Sequence, residues 1–116
     1  MPPPRRDDEV RPITAVRSGL LAFARPAQAE APERTWVVLI DDEAFTLRLE
    51  NERVRATSGA AEHPDVVARA KPAALLGYRI SRGRRRPPLK FVTGSAADIS
   101  EFEAVFDLRA GQPAAR

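Results

Sequence analysis

A chain of 116 residues has room for one hydrophobic core and no second domain. It holds no cysteine and one histidine, His63, which excludes disulfides, zinc–thiolate and iron–sulfur sites, cysteine nucleophiles and any centre that needs two imidazoles. Arginine supplies nearly all the cations behind a net charge of +3 and a pI near 10.2, and no apolar run approaches a membrane span, so a soluble, cytoplasmic chain is expected.

Residues 1–12 are rich in proline and mixed charge and read as a disordered leader. One domain is expected over 13–110, and 111–116 read as a loose tail. Over 13–25 the spacing of Val16, Leu20 and Phe23 predicts a helix that Pro26 stops, and a linker follows to Pro32. The period then changes. Residues 35–40 form a dense run rich in β-branched side chains, a buried strand. Asp41-Asp42 is a turn signal, and 44–50 alternate, with Phe45, Leu47 and Leu49 on one side. After Asn51-Glu52, a third strand places Val54, Ala56 and Ser58 inward and Arg53, Arg55 and Thr57 outward. Connections this short require an antiparallel meander.

Residues 59–64 form a loop, and 65–70 form a fourth, weaker strand. Pro72 suits the first turn of a helix on which Leu75, Leu76 and Ile80 share a face, with Tyr78 at its edge and Gly83 at its end. Residues 89–93 are a fifth strand. Ser95 with Asp98 is a variant capping box that opens a last helix, with Ile99, Phe102 and Phe106 on one stripe and Val105 beside it. The expected class is α+β: a five-stranded, mostly antiparallel sheet with helices packed on one face.

No acid lies between Asp65 and Asp98, and that stretch sums to +8, which leaves −5 for the rest of the chain. Its centre, Arg82, Arg84, Arg85 and Arg86, could contact phosphates or anionic headgroups, or be a solvated loop. The aromatics nearby, Tyr78 and Phe91, sit in apolar patterns, which disfavours single-strand nucleic-acid binding. Asp41, Asp42 and Glu43 read as turn chemistry, not a metal site. His63 has no nucleophile or acid in a triad arrangement and reads as a loop residue. Gly59, Gly77, Gly83 and Gly94 build no phosphate-binding loop. No catalytic constellation, metal site or cofactor motif emerges, so the chain is read as a non-enzyme. The apolar stripes seal a core or line a cavity.

The ordered set of motifs resembles sterol carrier protein-like domains. The segment from Trp36 to Glu50 is similar to that family's opening hairpin. Val54 to Gly59 is similar to its third strand, Pro64-Asp65 to the end of its loop, and Pro72-Ala73-Ala74-Leu75-Leu76-Gly77 to its short helix. Phe91-Val92-Thr93-Gly94-Ser95 and the helix after it are similar to its ending. Leu20 to Pro26 is also similar to the helix that precedes such a module behind the winged helix of HxlR-type regulators, so the chain looks like a stand-alone or truncated ligand-sensing half. The resemblance implies a non-enzymatic fold that shelters a small apolar or lipid-like ligand. The ligand would lie against Leu75, Leu76, Ile80, Phe102 and Phe106, with Arg82, Arg84, Arg85 and Arg86 as anion contacts. It recasts Gly94 as a turn glycine. The chain departs from the family at 83–88, where three arginines and two prolines replace a further helix that often helps close the tunnel. The alternative expectation is a filled-core interaction or dimerisation module, partnered by a DNA-binding regulator or a second copy.

Overall fold

The computed structural model describes residues 11–81 and 89–108. The order is α1 (Pro12–Gly19), two single 3₁₀ turns (Leu21–Phe23 and Pro26–Gln28), β1 (Arg34–Ile40), β2 (Glu43–Glu50), β3 (Arg53–Ser58), β4 (Val66–Ala70), α2 (Pro72–Ile80), β5 (Leu89–Thr93) and α3 (Ala96–Val105). The expected α+β class and five-stranded sheet are both present. The strands lie in the order β3-β2-β1-β4-β5, antiparallel throughout except for β1 against β4.

Turn chemistry sets the meander. Asp41 carries φ +56°, and Asn51 and Glu52 carry +52° and +62°. Two successive positive φ values match the twist of a two-residue hairpin, which brings Glu50 opposite Arg53. The parallel β1–β4 pair has a different origin. After β3 the chain must return past β2 and β1, and residues 59–65 cross the sheet as a strap. Thr46 holds the strap by donating its hydroxyl to Gly59 O (2.7 Å) and accepting from Ala61 N–H (2.9 Å). Asp65 docks its end: its N–H donates to Thr35 O (2.7 Å) and its Oδ2 accepts from Thr35 N–H (3.0 Å).

The first helix is shorter than its apolar spacing predicts. Pro12, read as leader, is its first residue, pre-organised by a fixed φ. Leu20 leaves helical geometry (φ −124°, ψ −62°), and the chain continues in 3₁₀ turns before Pro26, which disfavours helix in the residue ahead of it. The helix ends where it packs closely. A Cβ on Gly19 would stand 2.5 Å from Leu75 Cγ, so α1 meets α2 at its last turn. At the other end of the domain, Ser95 Oγ accepts from Asp98 N–H at 3.0 Å, as the capping pattern predicts. Gly94, at φ +139° with Val66 and Ile99 side chains against it, is the turn glycine the resemblance implies.

One face of the sheet carries the core. Trp36, Val38 and Ile40, then Phe45, Leu47 and Leu49, then Val66, Ala68 and Ala70 point toward the buried sides of the three helices. The aromatic centre is edge-on: Trp36 to Phe102 at 5.7 Å, Trp36 to Phe106 at 5.3 Å and Phe91 to Phe102 at 5.7 Å between centroids. Among the described residues, no helix is long and apolar enough to cross a membrane.

Candidate functional site

The structure divides the residues singled out from sequence. Leu75, Phe102 and Phe106 are fully buried, and the two phenylalanine rings meet at a tilt of 50° with centroids 4.8 Å apart as part of the aromatic core. Leu76 is half-buried. Ile80 does not share their face: it is 82% exposed, whereas Tyr78, read as an edge residue, is buried. The period of the helix explains the correction. Five residues at 3.6 per turn carry Ile80 about 140° round from Leu75, while Pro72, Leu75 and Tyr78 form the line that meets the core. The helix also ends at Ile80, where Ser81 N–H donates to Gly77 O (2.9 Å). The predicted end at Gly83 and the anion contacts Arg82, Arg84, Arg85 and Arg86 lie outside the described residues.

Arg79, counted from sequence as one more cation of the basic stretch, is a clamp. Its Nε donates to Gly19 O (2.8 Å), one terminal nitrogen to Asp107 O (2.8 Å) and the other to Phe106 O, while the guanidinium stacks on Phe23 at 3.9 Å. One side chain thereby ties α2 to the carboxyl-terminal ends of α1 and α3, where a cation also complements the helix dipoles. Burial pulls its pKa below the ordinary arginine value, and the charge of Asp107 opposes that shift. Phe23, placed inward by the predicted helix, is 38% exposed and serves as the ring under this cation.

A second polar anchor escaped the sequence reading. Glu101 is 8% exposed, accepts from Glu30 N–H (2.5 Å) and lies 2.7 Å from Arg34 Nε. Its position beside Phe102, on the buried side of α3, was the available signal: a carboxylate at a core position needs a partner. With Arg25 N–H donating to Val105 O (2.6 Å), Glu101 fastens the 26–33 linker along α3.

Between that linker and the β2–β3 turn opens a cleft of about 660 Å³, lined by Pro26, Ala27, Ala29, Ala31, Pro32 and Leu49 with Glu30, Glu33, Asn51 and Glu52. Its size is that of a small-molecule site. The lining alternates small apolar side chains with carboxylates, so it suits an apolar body bearing a cationic or hydrogen-bond-donating group. None of the five residues assigned to ligand from sequence lines it. On the other face of the sheet a smaller cleft of about 470 Å³ lies beside the strap, lined by Thr35, Arg48, Ala60, Ala61, Glu62 and His63. Asp41, Asp42 and Glu43 are exposed at a hairpin tip, and no group of three potential metal ligands comes together among the described residues.

No family model and no curated protein matches the chain. Solved structures do. The stereoselective inverting sec-alkylsulfatase Pisa1 from Pseudomonas sp. superposes with a TM-score of 0.55 at 18% identity, over 75% of this chain and 15% of that one. A double mutant of that sec-alkylsulfatase gives 0.61 at 17% identity, over 85% and 17%. The chain thus spans about a sixth of the length of these enzymes, and at such identity the likeness shows the fold alone.

Proposed function

We propose that this chain is a non-catalytic binding module for a small, largely apolar ligand, held in the cleft between the linker and the β2–β3 turn. The observation that carries the reading is the cleft itself: about 660 Å³, an apolar wall of alanine, proline and Leu49, and three carboxylates in its lining. Burial of ligand carbon supplies the affinity. Glu30, Glu33 and Glu52 select a cationic or neutral polar group over an anionic one. The apolar body expected from sequence is kept, its anionic head gives way to a cationic or neutral polar one, and its seat moves from the helix stripes to the linker. A series of octylamine, octanol and octanoate tests this by thermal shift. Binding to the native state raises stability by about 2.7 kcal/mol at a hundredfold excess over Kd, and the order expected is amine, then alcohol, then acid. Equal shifts for all three, or none, would sink the reading.

A second reading has its own observation. Leu75, Phe102 and Phe106 are consumed in core packing with Trp36, as the filled-core interaction module requires. It accounts for the same residues without a ligand, and a partner protein recovered specifically with the chain would favour it.

A further inference from the structure

On the strap face of the sheet, away from the linker cleft, the register sets Arg48 directly opposite Arg55. Like charges placed opposite each other across two strands repel, and natural sheets avoid the arrangement unless something neutralises it. Among the described residues no ion pair does so: the pairs are Arg25 with Asp107 and Arg34 with Glu101, and the acid on the same face, Glu50, stands opposite Arg53. The face carries a second such pair, Arg69 opposite Lys90. What distinguishes the first is its setting, since Arg48 lines the 470 Å³ cleft beside the strap with Thr35 and His63, while Arg55 stands across from it on β3, next to a separate hollow shared with Glu50 and Arg53.

We propose that Arg48, with Thr35 and His63 beside the strap and with Arg55 reaching in from its cross-strand position on β3, binds a phosphate group, either free or as a lipid headgroup. The chemistry fits in three respects. Two guanidiniums present flat, paired donors that match tetrahedral oxyanions. The hydroxyl and imidazole add donors of lower charge. The strap that borders the cleft is fixed in place, because Thr46 holds it at Gly59 and Ala61 and Asp65 docks its end on Thr35. Three acids stand nearby: Glu50, opposite Arg53 on the same face, with Asp65 and Glu62. Asp65 accepts the Thr35 N–H, and Glu62 lines the cleft and opposes an anion. Glu62 therefore sets the affinity low and makes Glu62→Gln a diagnostic change. The proposal goes beyond the linker cleft and does not depend on it.

The test is a titration of the ¹⁵N-labelled full chain with inorganic phosphate at low ionic strength. Saturable shifts confined to residues 60–63, Thr35, Arg48 and Arg55 are expected. Arg48→Gln and Arg55→Gln should each weaken binding about tenfold, Glu62→Gln should tighten it, and Arg17→Gln, on exposed α1 surface, should leave it unchanged. Sedimentation with phosphatidylcholine vesicles with and without phosphatidic acid separates the two sources. Vesicle binding lost in the same two variants assigns a lipid headgroup, and phosphate binding without vesicle binding assigns a soluble phosphate. Shifts spread over all basic surfaces without saturation, or unaltered binding in both arginine variants, would overturn the site. The octylamine response belongs to the other face and should persist in every variant.

Discussion

Replacing Arg79 with methionine keeps the apolar stem and removes the guanidinium. Three main-chain carbonyls, on Gly19, Phe106 and Asp107, lose their donor, and Phe23 loses its cation. Each charge-assisted hydrogen bond is worth about 1.5–3 kcal/mol taken alone. The sum overstates the loss, for two reasons. The carbonyls sit at helix ends that water can reach, and burial already penalises the guanidinium, as its lowered pKa records. A net loss of about 2–4 kcal/mol follows, at the upper end of what point substitutions do. In a domain of this size that lowers Tm by about 8–16 °C. Arg79→Lys should lose nearly as much, because one ammonium cannot span three carbonyls on two helices. Urea denaturation followed by circular dichroism reads both, with Arg17→Met as the exposed control. A loss within about 0.5 kcal/mol, the range of ordinary surface changes, would show that Arg79 is only another surface cation and refute the clamp.

Gly19→Ala should destabilise by about 1–2 kcal/mol, since overpacking against fully buried Leu75 outweighs the gain in helix propensity. In a Leu75→Ala background the same change should cost less, and a double-mutant cycle by chemical denaturation would show the coupling. Glu52→Gly should raise stability by about 0.5–1 kcal/mol, because Glu52 holds φ +62° in a turn that favours Asn-Gly; a lower Tm would mean the turn carries no strain. For Glu103, burial raises the carboxyl pKa above its ordinary value. Its contribution is then fully present below the ordinary glutamate range and is lost as pH rises through the raised value. Glu103→Gln should accordingly be more stable than the parent at pH 7, by no more than about 0.5 kcal/mol, and equal to it in acid; a gain that grew on acidification would reverse the assignment.

Features governed by neighbouring residues were legible in the sequence. The alternation of Phe45, Leu47 and Leu49, the turn pairs at 41–42 and 51–52, the cap at Ser95 and the backbone freedom of Gly94 each express a rule that acts within a few residues. What was not legible depends on who meets whom. The parallel seat of β4 beside β1 follows from the path of the strap, which Thr46 and Asp65 fix across the sheet. The close approach of α1 to α2 at Gly19 depends on Leu75, distant in sequence. Arg79 counted only as one more cation, and Glu101 drew no reading at all, because a composition count cannot tell a clamp from a solvated side chain. Ile80 was misplaced by treating Leu75, Leu76 and Ile80 on a short helix as one face. The linker cleft was missed for a related reason: alanines and prolines between helix and strand read as a spacer until they are seen lying over Leu49.

The central claim is that ligand sits at the linker and not among the helix stripes. Two-dimensional ¹H–¹⁵N spectra of the full chain, titrated with octylamine, test it most directly. The account predicts saturable shifts at residues 27–33 and 49–52, abolished by Ala29→Trp, which fills the cleft. Shifts centred instead on Leu75, Phe102 and Phe106, or a spectrum unmoved at saturating ligand, would contradict it.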